Sequence, residues 1–175
     1  MKEEFDRLYE RLSALESASA VSACMHEYMR LCDQLDVGFD LEPLMFLFTT
    51  DAVWEGKGGR YAKSFGRRVG REAIRQMFDK YVQPPAHFAL NAHFLTSEKI
   101  TVTSPTEARG TWMLLQTSSF NDGRSQLSAA LLDVLFQRVG EQWKIAHFTT
   151  ESRFNRPVDT AWDCPQALPV PAEDE

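Results

Sequence analysis

The feature that most limits what this chain can fold into is a change of hydrophobic period near Pro84-Pro85. Before it, apolar residues recur every three or four positions; after it, they alternate every second position through long runs. Phe5, Leu8, Leu12 and Leu15 mark a first helix, which the small residues Ser17 to Ser19 are expected to break. A second helix is expected over about 20–35, with Val21, Cys24, Tyr28, Leu31, Cys32 and Leu35 as its apolar stripe. Asp40 can cap a short third helix, with Pro43 in its first turn, where a missing N–H costs little. A short strand over 51–55, a Gly- and Arg-rich loop and a fourth helix over 71–81 follow. The alternating part predicts strands near 87–95, 99–103, 108–120, 125–138 and 142–153, with Asn121-Asp122-Gly123 as a hairpin turn. Helices followed by antiparallel hairpins indicate an α+β fold, with the helices on one face of a curved sheet. The expectation is one domain over residues 1–156, then a tail over 157–175 with four prolines, five acids and no base, extended or partly disordered.

Composition removes several function classes. With 25 acids against 19 bases and a formal net charge of -6 in 175 residues, overall charge does not favour nucleic acid. No apolar run approaches the roughly 20 residues that span a bilayer. The charged start MKEEFDRLYERL has no apolar signal core. Cys24, Cys32 and Cys164 form neither a disulfide nor a zinc framework, and Cys24 and Cys32 read as small buried apolar residues, so a cytoplasmic protein is expected.

The segment His87-Phe88-Ala89-Leu90-Asn91-Ala92-His93-Phe94 carries the most chemical information. Strict alternation puts His87, Asn91 and His93 on one face and Phe88, Leu90 and Phe94 on the other. That polar face either meets water or lines a cavity, where a histidine can move protons near neutral pH. The spacing i, i+4, i+6 without a carboxylate motif does not make a metal site, and no cofactor motif is present. A histidine base works better with a carboxylate that fixes its tautomer. The second helix offers Asp33 and Asp36, and helical periodicity favours Asp36 as the inward one if the helix stays regular to its end. Tyr28 reads either as a core aromatic or as a hydrogen-bond donor to substrate. Trp112, Leu114 and Gln116 share a strand face, as do His147, Thr149, Glu151 and Arg153, and parity alone does not say which face is inward. Trp54 and Trp143 read as structural. Between Lys57 and Arg75 stand seven bases against one acid, a solvated loop or an anion site at a pocket mouth.

Taken in order, YMRLCDQLD, LFTTDAVWEG, GREAI, HFALNAHF and GEQWKIAHF resemble the SnoaL-like branch of the nuclear-transport-factor-two-like superfamily over roughly residues 15–154. The resemblance implies a cone-shaped half-barrel, in which a curved antiparallel sheet wraps N-terminal helices around a deep apolar pocket. Members include scytalone dehydratase, bile-acid 7α-dehydratase, hexachlorocyclohexane dehydrochlorinase, polyketide cyclases and ketosteroid isomerase; others are non-catalytic subunits. It implies a cofactor-independent lyase or isomerase acting on a hydrophobic, cyclic small molecule. In that reading His87 is the base that takes a proton from carbon, Asp33 its partner and Tyr28 a donor to a substrate oxygen. Asn91, His93, Trp112, Gln116 and Arg153 are then substrate-binding candidates, and Asp36 stays as the alternative carboxylate. A non-catalytic ligand-binding or accessory subunit is the competing reading. A homodimer through the open sheet face is implied as well, consistent with the strand Ser125–Arg138 being apolar on both faces.

Overall fold

The computed structural model describes residues 1–165; most of the acidic, Pro-containing tail lies outside them. In chain order the elements are α1 (Lys2–Cys32), α2 (Glu42–Phe46), β1 (Phe48–Lys57), α3 (Gly58–Ser64), β2 (Arg67–Val69), α4 (Arg71–Asp79), β3 (Phe88–Ser104), β4 (Glu107–Phe120), β5 (Ser125–Val139) and β6 (Gln142–Pro157). The strands form a single six-stranded sheet in the order β2-β1-β6-β5-β4-β3. All pairs are antiparallel except β1 with β6, so the sheet is mixed. The expected α+β half-barrel is borne out, with that one parallel pair added.

Two local expectations are corrected. The expected break at Ser17–Ser19 does not occur: α1 runs unbroken for 31 residues. Serine and alanine have no backbone constraint that stops a helix, and Ser17 is small enough to be buried where the helix meets the sheet. The Gly- and Arg-rich segment after β1 is likewise not plain loop but α3 and β2. Gly56 makes that turn possible, because a Cβ there would stand 2.5 Å from the Tyr61 carbonyl oxygen of α3.

The C-terminal half of α1 supplies one side of the core through Val21, Met25, Tyr28 and Leu31. The sheet supplies the other through Trp112, Leu132, Val134, Phe136, Ile145 and Phe148. On β5 the even positions Leu132, Val134 and Phe136 are buried, whereas Leu131 is half-buried and Leu135 exposed on the other face. Long strands carry three register shifts in β3 pairing and three in β6 pairing, two of them against β5 and one against β1, which bend the sheet around α1. Below the sheet's end, Val158 N–H donates to Ser125 O at 3.0 Å and Trp162 Nε1–H to Gln126 O at 2.9 Å, so the first tail residues are tied to β5.

Cys24 and Cys32 are buried and Cys164 is exposed. Burial pushes both inner thiols up to about 12. Because the thiolate is the reactive form, native protein is expected to react with Ellman's reagent quickly at one thiol and at all three only after denaturation. Three fast thiols in the native state would contradict this packing.

Candidate active site

A cavity of about 440 Å³ opens between α1, α3, α4 and the concave face of the sheet. Its size lies in the range of small-molecule sites. Apolar walls come from Met29, Trp54, Phe78, Phe88, Leu132 and Phe148, and polar groups from Tyr28, Arg60, Asn91, His93, Gln116 and Asn155.

The carboxylate near this cavity is Asp33, and its partner is His93 rather than His87. His93 Nδ1 lies 2.5 Å from Asp33 Oδ1, and the His93 backbone N–H donates to the same oxygen at 3.0 Å. The His93 side chain is 11% exposed and Asp33 31%, so the imidazole stands between the carboxylate and the cavity. The contact suits the tautomer in which Nδ1–H donates to Asp33 Oδ1. Nε2 is then the ring nitrogen left, with a free lone pair, for the cavity.

Two backbone features explain why periodicity favoured Asp36 and put His87 on one face with His93; the choice of His87 came from the family resemblance. First, α1 ends at Cys32, and Asp33 caps it with its N–H still donating to Met29 O at 2.9 Å. Asp36 therefore lies beyond the helix, where its Oδ1 accepts the Val37 N–H at 2.7 Å. Second, the register of β3 against β4 slips between Phe88 and Leu90, with Phe88 opposite Phe120 and Leu90 opposite Ser119. The bulge reverses the alternation at that point, so Phe88 joins Asn91 and His93 on the cavity side. His87 precedes β3, is exposed, and packs its ring edge-on against Tyr81, Phe88 and Phe120 at the cavity rim. Burial against these rings lowers its pKa, with Asp122 opposing the shift and Arg124 adding to it. It has no carboxylate hydrogen-bond partner among the described residues.

Tyr28 is 3% exposed, and its hydroxyl accepts the Trp54 Nε1–H at 3.0 Å. Burial raises its pKa, which keeps it a neutral donor. Asn91 Oδ1 accepts from Gln116 Nε2 at 2.8 Å and from Ser118 Oγ at 2.9 Å. Both acceptances leave the Asn91 amide nitrogen as the group that can donate to a ligand. Asn91, His93 and Gln116 thus come together at one wall.

Trp112 and Arg153 do not line the cavity. Trp112 is 1% exposed, lies over Gly110 and Phe136, and donates its Nε1–H to Glu98 Oε2 at 2.8 Å. Arg153 sits on a bulge, with Ala129 opposite Phe154 and Ala130 opposite Ser152, and points to the surface. Asn155, two residues on, lines the cavity instead. Trp54, read as structural, both lines the cavity and fixes Tyr28. Arg60 and Tyr61 come from the basic segment, whose helix was not expected. A second histidine–carboxylate pair, His147 Nε2 to Glu55 Oε1 at 2.7 Å, occupies the opposite sheet face and lines no part of this cavity. Among the described residues no three His, Cys, Asp or Glu side chains converge in metal-ligand geometry, and no helix is long and apolar enough to cross a membrane.

Comparison with solved structures finds the same fold repeatedly. A hexachlorocyclohexane dehydrochlorinase of LinA type 3 from Novosphingobium barchaimii superposes with a TM-score of 0.73 at 18% identity, covering 89% of this chain and 99% of its own. A protein from Novosphingobium aromaticivorans with a provisional assignment as a scytalone dehydratase gives 0.71 at 18% identity, covering 89% and 98%. A ketosteroid isomerase-like protein from Erwinia carotovora atroseptica gives 0.61 at 15% identity, covering 79% and 98%. At these identities the likeness is one of fold. No curated protein matches the chain. The family model described as the SnoaL-like domain matches residues 13–149, and the chain belongs to that family.

Proposed function

We propose that the protein is a cofactor-independent lyase or isomerase that takes a proton from carbon of a hydrophobic, cyclic small molecule. The observation that carries this reading is the His93–Asp33 pair, set with one imidazole edge on a carboxylate and the other toward a partly open, mostly apolar cavity. His93 Nε2 removes a proton from a carbon next to an electron-withdrawing group. Asp33 holds Nδ1–H and stabilises the imidazolium that forms, an attraction strengthened by the low dielectric of the cavity wall. The electron pair left on carbon either expels a leaving group on the neighbouring carbon or is reprotonated at a different position by the same imidazolium. In a dehydration, the imidazolium returns its proton to the departing hydroxyl. In this reading Tyr28 O–H and the Asn91 amide, both on the cavity wall, donate to the oxygen on which charge develops.

The test is a turnover screen of hydroxylated cyclic ketones and thioesters with wild type, His93→Ala and His87→Ala. The proposal requires turnover that His93→Ala abolishes and His87→Ala largely keeps. Ligand binding without turnover in wild type would instead make the domain a non-catalytic binding or accessory subunit.

We also propose that the protein is cytoplasmic and that two copies pair through the convex sheet face, where Leu131 is half-buried and Leu135 is 45% exposed. Light scattering after size exclusion should give twice the 20.0 kDa chain mass. A Leu131→Glu/Leu135→Glu variant should shift toward the monomer. A variant unchanged in mass would move the interface elsewhere.

A further inference from the structure

The first half of α1 is an apolar seam that nothing among the described residues covers. Phe5, Leu8, Tyr9, Leu12 and Leu15 are 70, 54, 67, 53 and 68% exposed, and burial along the helix begins only at Ser17. At 1.5 Å per residue this arm is roughly 22 Å long. The spacing of Phe5, Leu8, Leu12 and Leu15 is three-four-three, the a-d-a-d pattern of two heptads with leucine at both d positions. The seam does not continue the core stripe. At about 100° per residue it lies roughly 150° round the helix from Val21, Met25, Tyr28 and Cys32, so the domain's own sheet cannot reach it. A helical arm of about this length is marginal in water without a covering partner.

We infer that this arm pairs with the same segment of a second copy as a parallel, in-register, two-stranded coiled coil. Charge selects both the occupant and the orientation. With Phe5 and Leu12 at a, Arg11 falls at g and Glu16 at the following e. In a parallel pair each Arg11 faces the Glu16 of the other copy, twice by symmetry. Neither side chain has an ion-pair partner within its own chain among the described residues. An antiparallel pair that matched the same apolar layers would instead set Arg11 against Arg11. The remaining surface disfavours a lipid occupant, because residues 2–16 hold five acids against three bases, and anionic membranes attract basic helices. This inference is independent of the chemistry in the cavity; the arm is a second contact between the same two copies, adding to sheet-face pairing without changing the two-copy mass.

Disulfide trapping in the full chain tests it. In a Cys164→Ser background, which removes the exposed native thiol, Leu8→Cys places thiols across the seam at a d position, and Glu10→Cys places them on the outward f position. Under mild oxidation Leu8→Cys should form a covalent dimer at least about tenfold faster than Glu10→Cys, because pairing raises the local thiol concentration. Adding Arg11→Glu should slow trapping by about tenfold, and adding Glu16→Arg as well should restore it. All of these positions are solvent-exposed, so unchanged melting temperatures are expected throughout. Equal rates for Leu8→Cys and Glu10→Cys would overturn the inference. So would a charge swap that fails to rescue, or flotation of the wild-type chain with phosphatidylcholine–phosphatidylserine vesicles.

Discussion

His93→Ala is expected to lower turnover by about 10²–10⁴-fold while leaving the fold intact. The side chain is held by one carboxylate and faces a cavity, so its removal deletes the base and adds volume to an existing space rather than opening a void in the packed core. Asp33→Asn should lose activity to a similar order, up to about 10⁴-fold, because an amide cannot stabilise the imidazolium and can hold the ring in the wrong tautomer. His87→Ala should cost far less, since that ring sits at the rim with no carboxylate partner among the described residues. The readout is kcat on whichever substrate the screen identifies. Loss of kcat in His87→Ala with retention in His93→Ala would reverse the assignment.

Trp112→Ala is expected to destabilise the protein by about 3–5 kcal/mol. For a chain of this size that corresponds to a fall of roughly 6–20 °C in melting temperature. The ring is 1% exposed and packs so closely over Gly110 that a Cβ there would stand 2.1 Å from it. Its Nε1–H also satisfies Glu98, an oxygen shared with Ser22 of α1, so the indole ties the helix to two strands. Trp112→Phe separates the two contributions, keeping most of the volume and losing only that hydrogen bond, at about 1–2 kcal/mol. Thermal denaturation followed by circular dichroism measures both. Because Trp112 is not on the cavity wall, ligand affinity well below the transition should barely change. A Trp112→Ala protein that kept its melting temperature but lost its ligand would restore the tryptophan to the binding site.

How much of this was legible in the sequence differs by element. The alternation of β4 and β5 and the Asn121-Asp122-Gly123 turn place the central hairpin correctly, because register there is pinned by one buried face. Family resemblance selects Asp33, whereas periodicity selects Asp36; the helix ends at Cys32, so extrapolating its period to Asp36 fails. The choice between His87 and His93 depended on a single bulge between Phe88 and Leu90. A bulge adds one residue to one strand and leaves no compositional mark strong enough to read, yet it reverses which side chains face inward. A bulge in β6 likewise brings Asn155 inward, whereas Arg153, a candidate from the resemblance, shares the outward face of His147. The contribution of Arg60 and Tyr61 was missed because α3 is short and Gly-led, and its position depends on the close approach of Gly56 to Tyr61. The seam of the N-terminal arm was visible as a period, but its exposure was not, since the same spacing serves a core-facing helix.

The central claim is that His93 presents an unprotonated Nε2 to the cavity because Asp33 holds the proton on Nδ1. Long-range ¹H–¹⁵N correlation spectra of the imidazole rings report that tautomer directly and need no substrate. Above about pH 8, where an ordinary histidine is neutral, the His93 ring should show the Nδ1–H form in wild type and lose that preference in Asp33→Asn. A neutral Nε2–H ring in wild type, with Nδ1 bare, would leave no lone pair facing the cavity and would contradict the proposed base.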